Sequence, residues 1–198
     1  MWVIALCHDV AFESSRRSAL FQAHAAHNVA RISAFLLTAP IATADGVSGR
    51  DNDPRLVGSI YCLEVDGLEA AREIMETDPY MGGAWRRIDY YQWPSPTGTW
   101  LDPAAVYTTP ATDFRCYVAC SRAPLEVGRP LIGGAVTFLG STGEGSELLA
   151  DIAIFQAMSF ADAKARAPGA DLVASIPIAI GRWMGVSSPA DLARMASA

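Results

Sequence analysis

The feature that most constrains this chain is that its strand pattern starts twice. Trp2 to Cys7 is a short apolar run of strand formers, and Phe114 to Cys120 lines up with it. Between the two starts, Pro94 to Thr112 holds four prolines and several threonines. It keeps neither a helical nor a strand period, so it reads as a semi-rigid linker. The 198 residues therefore divide into a first domain over 1–93, a linker over 94–112 and a second domain over 113–198.

Within the first domain, Trp2–Cys7 is followed by a helix from Ser14 or Ser15, either of which suits an N-cap, to about Ser33. Placed 100° apart, Phe21, Ala25, Val29 and Ile32 form one stripe that should face the core. Arg17, His24 and Asn28 form a polar stripe at its edge, and His27 lies further round. Phe35–Ile41 reads as a second strand and Leu56–Val65 as a third. A helix then runs from Leu68 to Thr77, and Asp78-Pro79-Tyr80 stops it, because proline restricts the residue before it. Trp85–Trp93 is a fourth strand. The order is βαββαβ, the split βαβ or ferredoxin-like pattern.

The second domain repeats the strand order with strands at Phe114–Cys120, Ala135–Leu139, Leu148–Met158 and Ile176–Trp183. Ser159 and Asp162 cap a helix before the fourth strand. Ser188-Pro189 opens a short terminal helix. Between its first two strands the first domain has about 25 residues, but the second has only about a dozen, from Arg122 to Gly134. Two prolines and three glycines fall in that dozen, which rules out a comparable helix. The fold class is thus α+β: two tandem ferredoxin-like units, the second without its first helix. The sheet face left bare should be covered by the linker, the terminal helix or a second chain, so a homodimer is one expectation.

Composition narrows the function. Half of the residues (51%) are hydrophobic and the net charge is −6. The basic residues form no stripe, which argues against nucleic acid. No segment is apolar for long enough to span a membrane, and the N-terminal run reads as a strand rather than a signal peptide. Cys7, Cys62, Cys116 and Cys120 sit in apolar, strand-like runs, as reduced thiols of a cytoplasmic protein would. His8, Asp9, His24 and His27 show no recognised metal-ligand spacing. Gly140–Gly145 joins two strands and opens no helix, so it reads as a hairpin loop and not as a phosphate cradle.

Certain residues of the first half carry a resemblance. Its first strand ends in Asp9, and its first helix carries Gln22-Ala23-His24. Its third strand leads into Leu68-Glu69-Ala70-Ala71-Arg72, and that helix ends in Thr77-Asp78-Pro79-Tyr80 before a last strand with aromatics. In these features residues 1–93 resemble the YciI-like (YCII-related) domain of the dimeric α+β barrel superfamily. The second half resembles it in strand order alone. Members of the family pair two identical domains into a barrel around a cleft. The resemblance implies that here the two halves pair within one chain. It also implies a small-molecule site with a His–Asp dyad. The family includes an enzyme that eliminates chloride from a chlorinated hydroxyhydroquinone.

His24 is the candidate acid–base group, because an imidazole passes protons both ways near neutral pH. Asp9, at the end of the first strand, would orient the imidazole and stabilise its charged form. Asp78 by spacing alone is turn chemistry, but the family pattern keeps it as a site residue. Which of the two contacts His24 stays open. Arg17, Asn28 and Tyr80 are candidate substrate contacts. Nothing in the second half aligns with His24, so one site per chain is expected, with no cofactor and no metal. The expected function is a cofactor-independent lyase or isomerase, moving a proton on a small cyclic or aromatic-derived substrate. The rival expectation is a non-catalytic binding or accessory protein. A haem or metal protein is a weaker third.

Overall fold

The computed structural model describes residues 1–10, 14–47, 53–101, 115–128, 130–146 and 148–196. The first half runs β1 (Trp2–Asp9), α1 (Ser14–Ala30), β2 (Phe35–Ala42), β3 (Leu56–Glu64), α2 (Leu68–Glu76) and β4 (Trp85–Gln92). The second runs β5 (Arg115–Ser121), β6 (Ile132–Ala135), β7 (Thr137–Ser141), β8 (Asp151–Ala157), α3 (Phe160–Arg166), β9 (Leu172–Ile176) and α4 (Pro189–Ala196).

The strands form one sheet in the order β6-β8-β5-β9-β2-β3-β1-β4-β7, with antiparallel pairing throughout. The first half contributes β2-β3-β1-β4, and β6-β8-β5-β9 repeats that order. Only Val136 separates β6 from β7, so the two edges of the sheet are consecutive pieces of one segment. The nine-stranded sheet is thereby nearly closed. The single strand expected at Ala135–Leu139 is in fact this bent pair: β6 pairs with β8 of its own half and β7 with β4 of the other.

The side chains pointing into the barrel come from both halves. Ile4, Leu6, Ile60 and Tyr91 pack in one cluster with Val118, Ile152, Ile154 and Ala174. Strand alternation sends Val3, Ala5, Cys7, Tyr61 and Leu63 to the opposite face, where they meet Ala71 and Met75 of α2. The ladder between β2 and β9 is a single residue pair, Ala42 with Ser175. Each fully buried Ile or Leu contributes about 2 kcal/mol. The shared interior therefore joins the halves more strongly than that ladder does.

Four expectations need correction. First, α1 is turned about its axis. Arg17, His24 and Asn28 are 5–8% exposed, whereas Val29 is 37% exposed. The polar stripe faces the sheet because it finds hydrogen-bond partners there, and buried polar groups are tolerated only when paired. Second, the last strand of the second half is Leu172–Ile176, not Ile176–Trp183. Downstream of it, Ile180 makes an isolated bridge to Thr38 of β2. Third, the segment that replaces the missing helix covers the face itself: Leu125 and Val127 pack on Tyr117, Ala119 and Phe155. Fourth, part of the linker is structured. Thr97 pairs with Gly133, and Trp100 and Leu101 pack on the barrel core. Residues 102–112 lie outside the described residues, as do residues 11–13 just before α1.

The four cysteines are free thiols. No helix among the described residues is long and apolar enough to cross a membrane.

Candidate functional site

α1 lies across the outer face of β2 and β3, and a cavity of about 280 Å³ opens between them. Arg17, His24, Asn28, Ser59, Tyr61 and Tyr80 form its polar side. Phe21, Ala25 and Val29 of α1 and Ile178, Ile180 and Leu192 of the C-terminal segment form its apolar side. The stripe expected to bury itself in the core thus lines the cavity instead. A cavity of about 150 Å³ is enough for benzene, so this one has room for a molecule built on a single ring.

His24 is fixed from three directions. Its Nδ1 lies 2.9 Å from both oxygens of Asp78. Its ring lies flat on Tyr80, with centroids 3.7 Å apart and planes 7° apart. Trp85 meets it edge-on at 5.7 Å. Asp78 caps the 3-10 turn at Pro79–Gly82 and accepts from the Tyr80 backbone N–H at 2.8 Å. The Asp-Pro-Tyr turn therefore does two things at once. It ends α2, and it presents an oriented carboxylate to α1.

Nε2 of His24 faces Asn28 Nδ2 at 3.1 Å and the Tyr61 hydroxyl at 3.5 Å. Asn28 Nδ2 also donates to the Tyr61 hydroxyl at 3.2 Å. A carboxylate only accepts, so in the neutral ring Nδ1 carries the proton. Nε2 then offers a lone pair, to which Asn28 donates. Burial holds the Tyr61 phenol well above its usual pKa, and the nearby Asp78 charge adds to this. Burial likewise pushes the Tyr80 phenol up to about 12. Both phenols stay protonated and can act as donors.

Asp9 does not touch His24. Both its oxygens accept from Arg17 Nη1 at 2.8 Å, and Arg17 Nη2 donates to Ser59 Oγ at 2.8 Å. Burial lifts the Asp9 carboxyl above its usual value, against the pull of Arg17. The Arg17 guanidinium carbon lies 5.0 Å from the centre of the Tyr80 ring, so this ion pair braces the ring that braces His24. His27 is turned away from the cavity. It donates from Nε2 to the Ile74 carbonyl at 2.8 Å, and burial lowers its pKa.

Of the sequence candidates, His24, Asp78, Asn28, Tyr80, Arg17 and Asp9 converge on one region. His24, Asn28, Tyr80 and Arg17 line the cavity. Reasoning from sequence missed Thr38 and Ser59, which also line it, as does Tyr61. The signal for Ser59 was present: Ser59 and Tyr61 alternate with the apolar Ile60 and Cys62, which puts them on one face of β3. Ile178, Ile180 and Leu192 left no such signal, because they reach the site only through the pairing of the two halves. Among the described residues, no group of three His, Cys, Asp or Glu side chains is placed to hold a metal ion.

The fold and site define a mixed α+β protein with a nearly closed antiparallel sheet and an imidazole–carboxylate pair on a half-open cavity. Among solved structures, the chain is similar to 5-chloro-2-hydroxyhydroquinone dehydrochlorinase (TftG) from Burkholderia phenoliruptrix AC1100, in complex with 2,5-dihydroxybenzoquinone. The match has a TM-score of 0.41 and 19% identity, and covers 47% of this chain and 93% of that one. No family model matches the chain, and no curated protein does.

Proposed function

We propose that the chain is an enzyme that moves a proton on a small, single-ring substrate, with Nε2 of His24 as the acid–base atom. The observation that carries this reading is the fixed imidazole: Asp78 holds Nδ1 through both oxygens while Nε2 meets Asn28 and Tyr61 on the polar side of the cavity. Asp78 is the positioning residue and stabilises the imidazolium once Nε2 takes a proton. Asn28 donates to Nε2, so an incoming C–H or O–H must displace that contact. The freed amide then joins Tyr61 as a donor to an oxygen of the substrate, where negative charge develops. Apolar Phe21, Ile178 and Leu192 exclude water around the ring. This set suits elimination, isomerisation or a related lyase step.

We read the two halves as diverged copies of one ferredoxin-like unit paired within the chain. The repeated strand order supports that reading. In it the second half keeps no imidazole of its own and supplies walls to the first. The free thiols are in keeping with a cytoplasmic location.

One observation favours the rival reading of a binding protein. Nε2 is already hydrogen-bonded by Asn28, which is a satisfied network and not an exposed base. A single experiment separates the two. Solvent deuterium incorporation is followed by NMR for a panel of cyclic enones, lactones and halogenated hydroquinones. Exchange that depends on His24, tested with His24→Gln, supports the enzyme. Panel members that bind the wild type without any exchange support the binder.

A further inference from the structure

A second imidazole–carboxylate pair lies on the other face of β1, toward the barrel interior. His8 Nε2 is 2.9 Å from Asp89 Oδ2, and Arg87 Nη2 is 3.0 Å from the same oxygen. Nη2 and Nε2 are themselves 3.2 Å apart. Arginine carries only donors, so the consistent assignment has Nε2–H and Nη2–H both donating to Asp89. Arg87 is anchored in turn, because its Nη1 donates to the carbonyl of Gly145. Burial alone would lift the Asp89 carboxyl. Hydrogen bonds from His8 and Ser141 and the charges of His8 and Arg87 hold it below its usual value instead. Asp89 is therefore an ionised acceptor, and the neutral form of His8 has its lone pair on Nδ1. That atom has no hydrogen-bond partner among the described residues.

His8 lines a cavity of about 200 Å³ at the barrel mouth, whose apolar walls are Leu6, Ile41 and Val57 from the first half and Leu172 from the second. The carboxylates at its rim are already neutralised: Asp9 is paired with Arg17 and Asp171 with Arg122. The exposed Arg86 completes this charged rim. The cavity therefore offers the His8 acceptor between apolar walls and a charged rim, with no unpaired carboxylate to draw a cation. A cavity of about 150 Å³ takes benzene, so this one has room for a ring and a small substituent.

We propose that the barrel mouth is a second small-molecule site, in which His8 Nδ1 accepts a hydrogen bond from the hydroxyl of a small, neutral, ring-sized alcohol or phenol lying against Leu6, Ile41, Val57 and Leu172. It is separate from the His24 cavity and does not depend on the reaction assigned there.

The test uses the full chain with ¹⁵N-labelled histidine, whose three imidazoles are assigned by single variants, titrated with 4-bromophenol. The expected result is a saturable shift of the His8 Nδ1 signal that is lost in Val57→Trp, where the indole fills the cavity. A His8 signal unmoved up to the solubility limit of the probe, or one that moves equally in Val57→Trp, overturns the proposal. Should Val57→Trp fail to fold, bromine anomalous scattering from wild-type crystals grown with the probe decides. A peak beside His8 supports the site, and peaks elsewhere alone overturn it.

Discussion

The backbone N–H of Tyr80 donates to the carboxylate that holds His24, while the Tyr80 ring lies flat against the imidazole of His24. One residue thus fixes the histidine twice, through its main chain and through its ring. Tyr80→Phe keeps both functions and Tyr80→Ala keeps only the first. Activity should therefore fall at least about tenfold further in Tyr80→Ala than in Tyr80→Phe, since small misplacements of a catalytic group are expensive. Steady-state kinetics on a panel substrate checks the order.

Asp78→Asn keeps the shape of the turn and removes the charge. The amide can still accept the Tyr80 N–H, but it no longer stabilises an imidazolium. The expected loss in kcat is about 10²–10⁴-fold, with little change in melting temperature. A loss confined to KM would mean that Asp78 serves binding and not proton transfer.

Arg17→Met should act on stability, and in a pH-dependent way. Asp9 is a carboxyl whose folded value is raised above its usual 3.8. A raised acid favours the folded state below its unfolded value, and that contribution is lost as pH rises through the folded value. Without Arg17 the folded value rises further. The variant should therefore lose about 3 kcal/mol at neutral pH and recover part of it on acidification toward pH 4. Urea denaturation at several pH values reads this directly. A pH-independent loss would place the effect in packing alone.

Gly181 holds the C-terminal segment at the cavity. Its φ is +131°, and a Cβ there would lie 2.6 Å from the Leu36 carbonyl oxygen. The next residue back, Ile180, bridges to Thr38. Gly181→Ala should therefore unseat Ile178 and Ile180 and weaken binding of ring-sized molecules at His24, while the barrel interior stays packed. Calorimetric titration, set beside the melting temperature, separates local from global damage.

Much of the fold was legible in the sequence because strand alternation and turn residues are local signals. The strand at Arg115–Ser121, the glycines and prolines between it and β7, and the Pro189 helix start are all of this kind. The orientation of α1 was not legible. Helical periodicity assigns the apolar stripe to the core by default, but the choice between the two stripes of α1 is made by partners on other elements: Asp9, Ser59, Tyr61 and Asp78. For the same reason, spacing left open which carboxylate meets His24. Asp9 is nearer in sequence, but Arg17, about two helix turns before His24 on the same face, occupies it. The pair of His8 with Asp89 escaped notice because its members are 81 residues apart and meet only through the β1–β4 ladder.

The central claim is that Asp78 keeps the proton on Nδ1 of His24 and leaves Nε2 as the working atom. Long-range ¹H–¹⁵N correlation on the imidazoles of the full chain, at a pH where the ring is neutral, tests it most directly. The account predicts a protonated, pyrrole-like Nδ1 and an unprotonated, pyridine-like Nε2 for His24, with that preference weakened or reversed in Asp78→Asn. A wild-type His24 with its proton on Nε2 would contradict it.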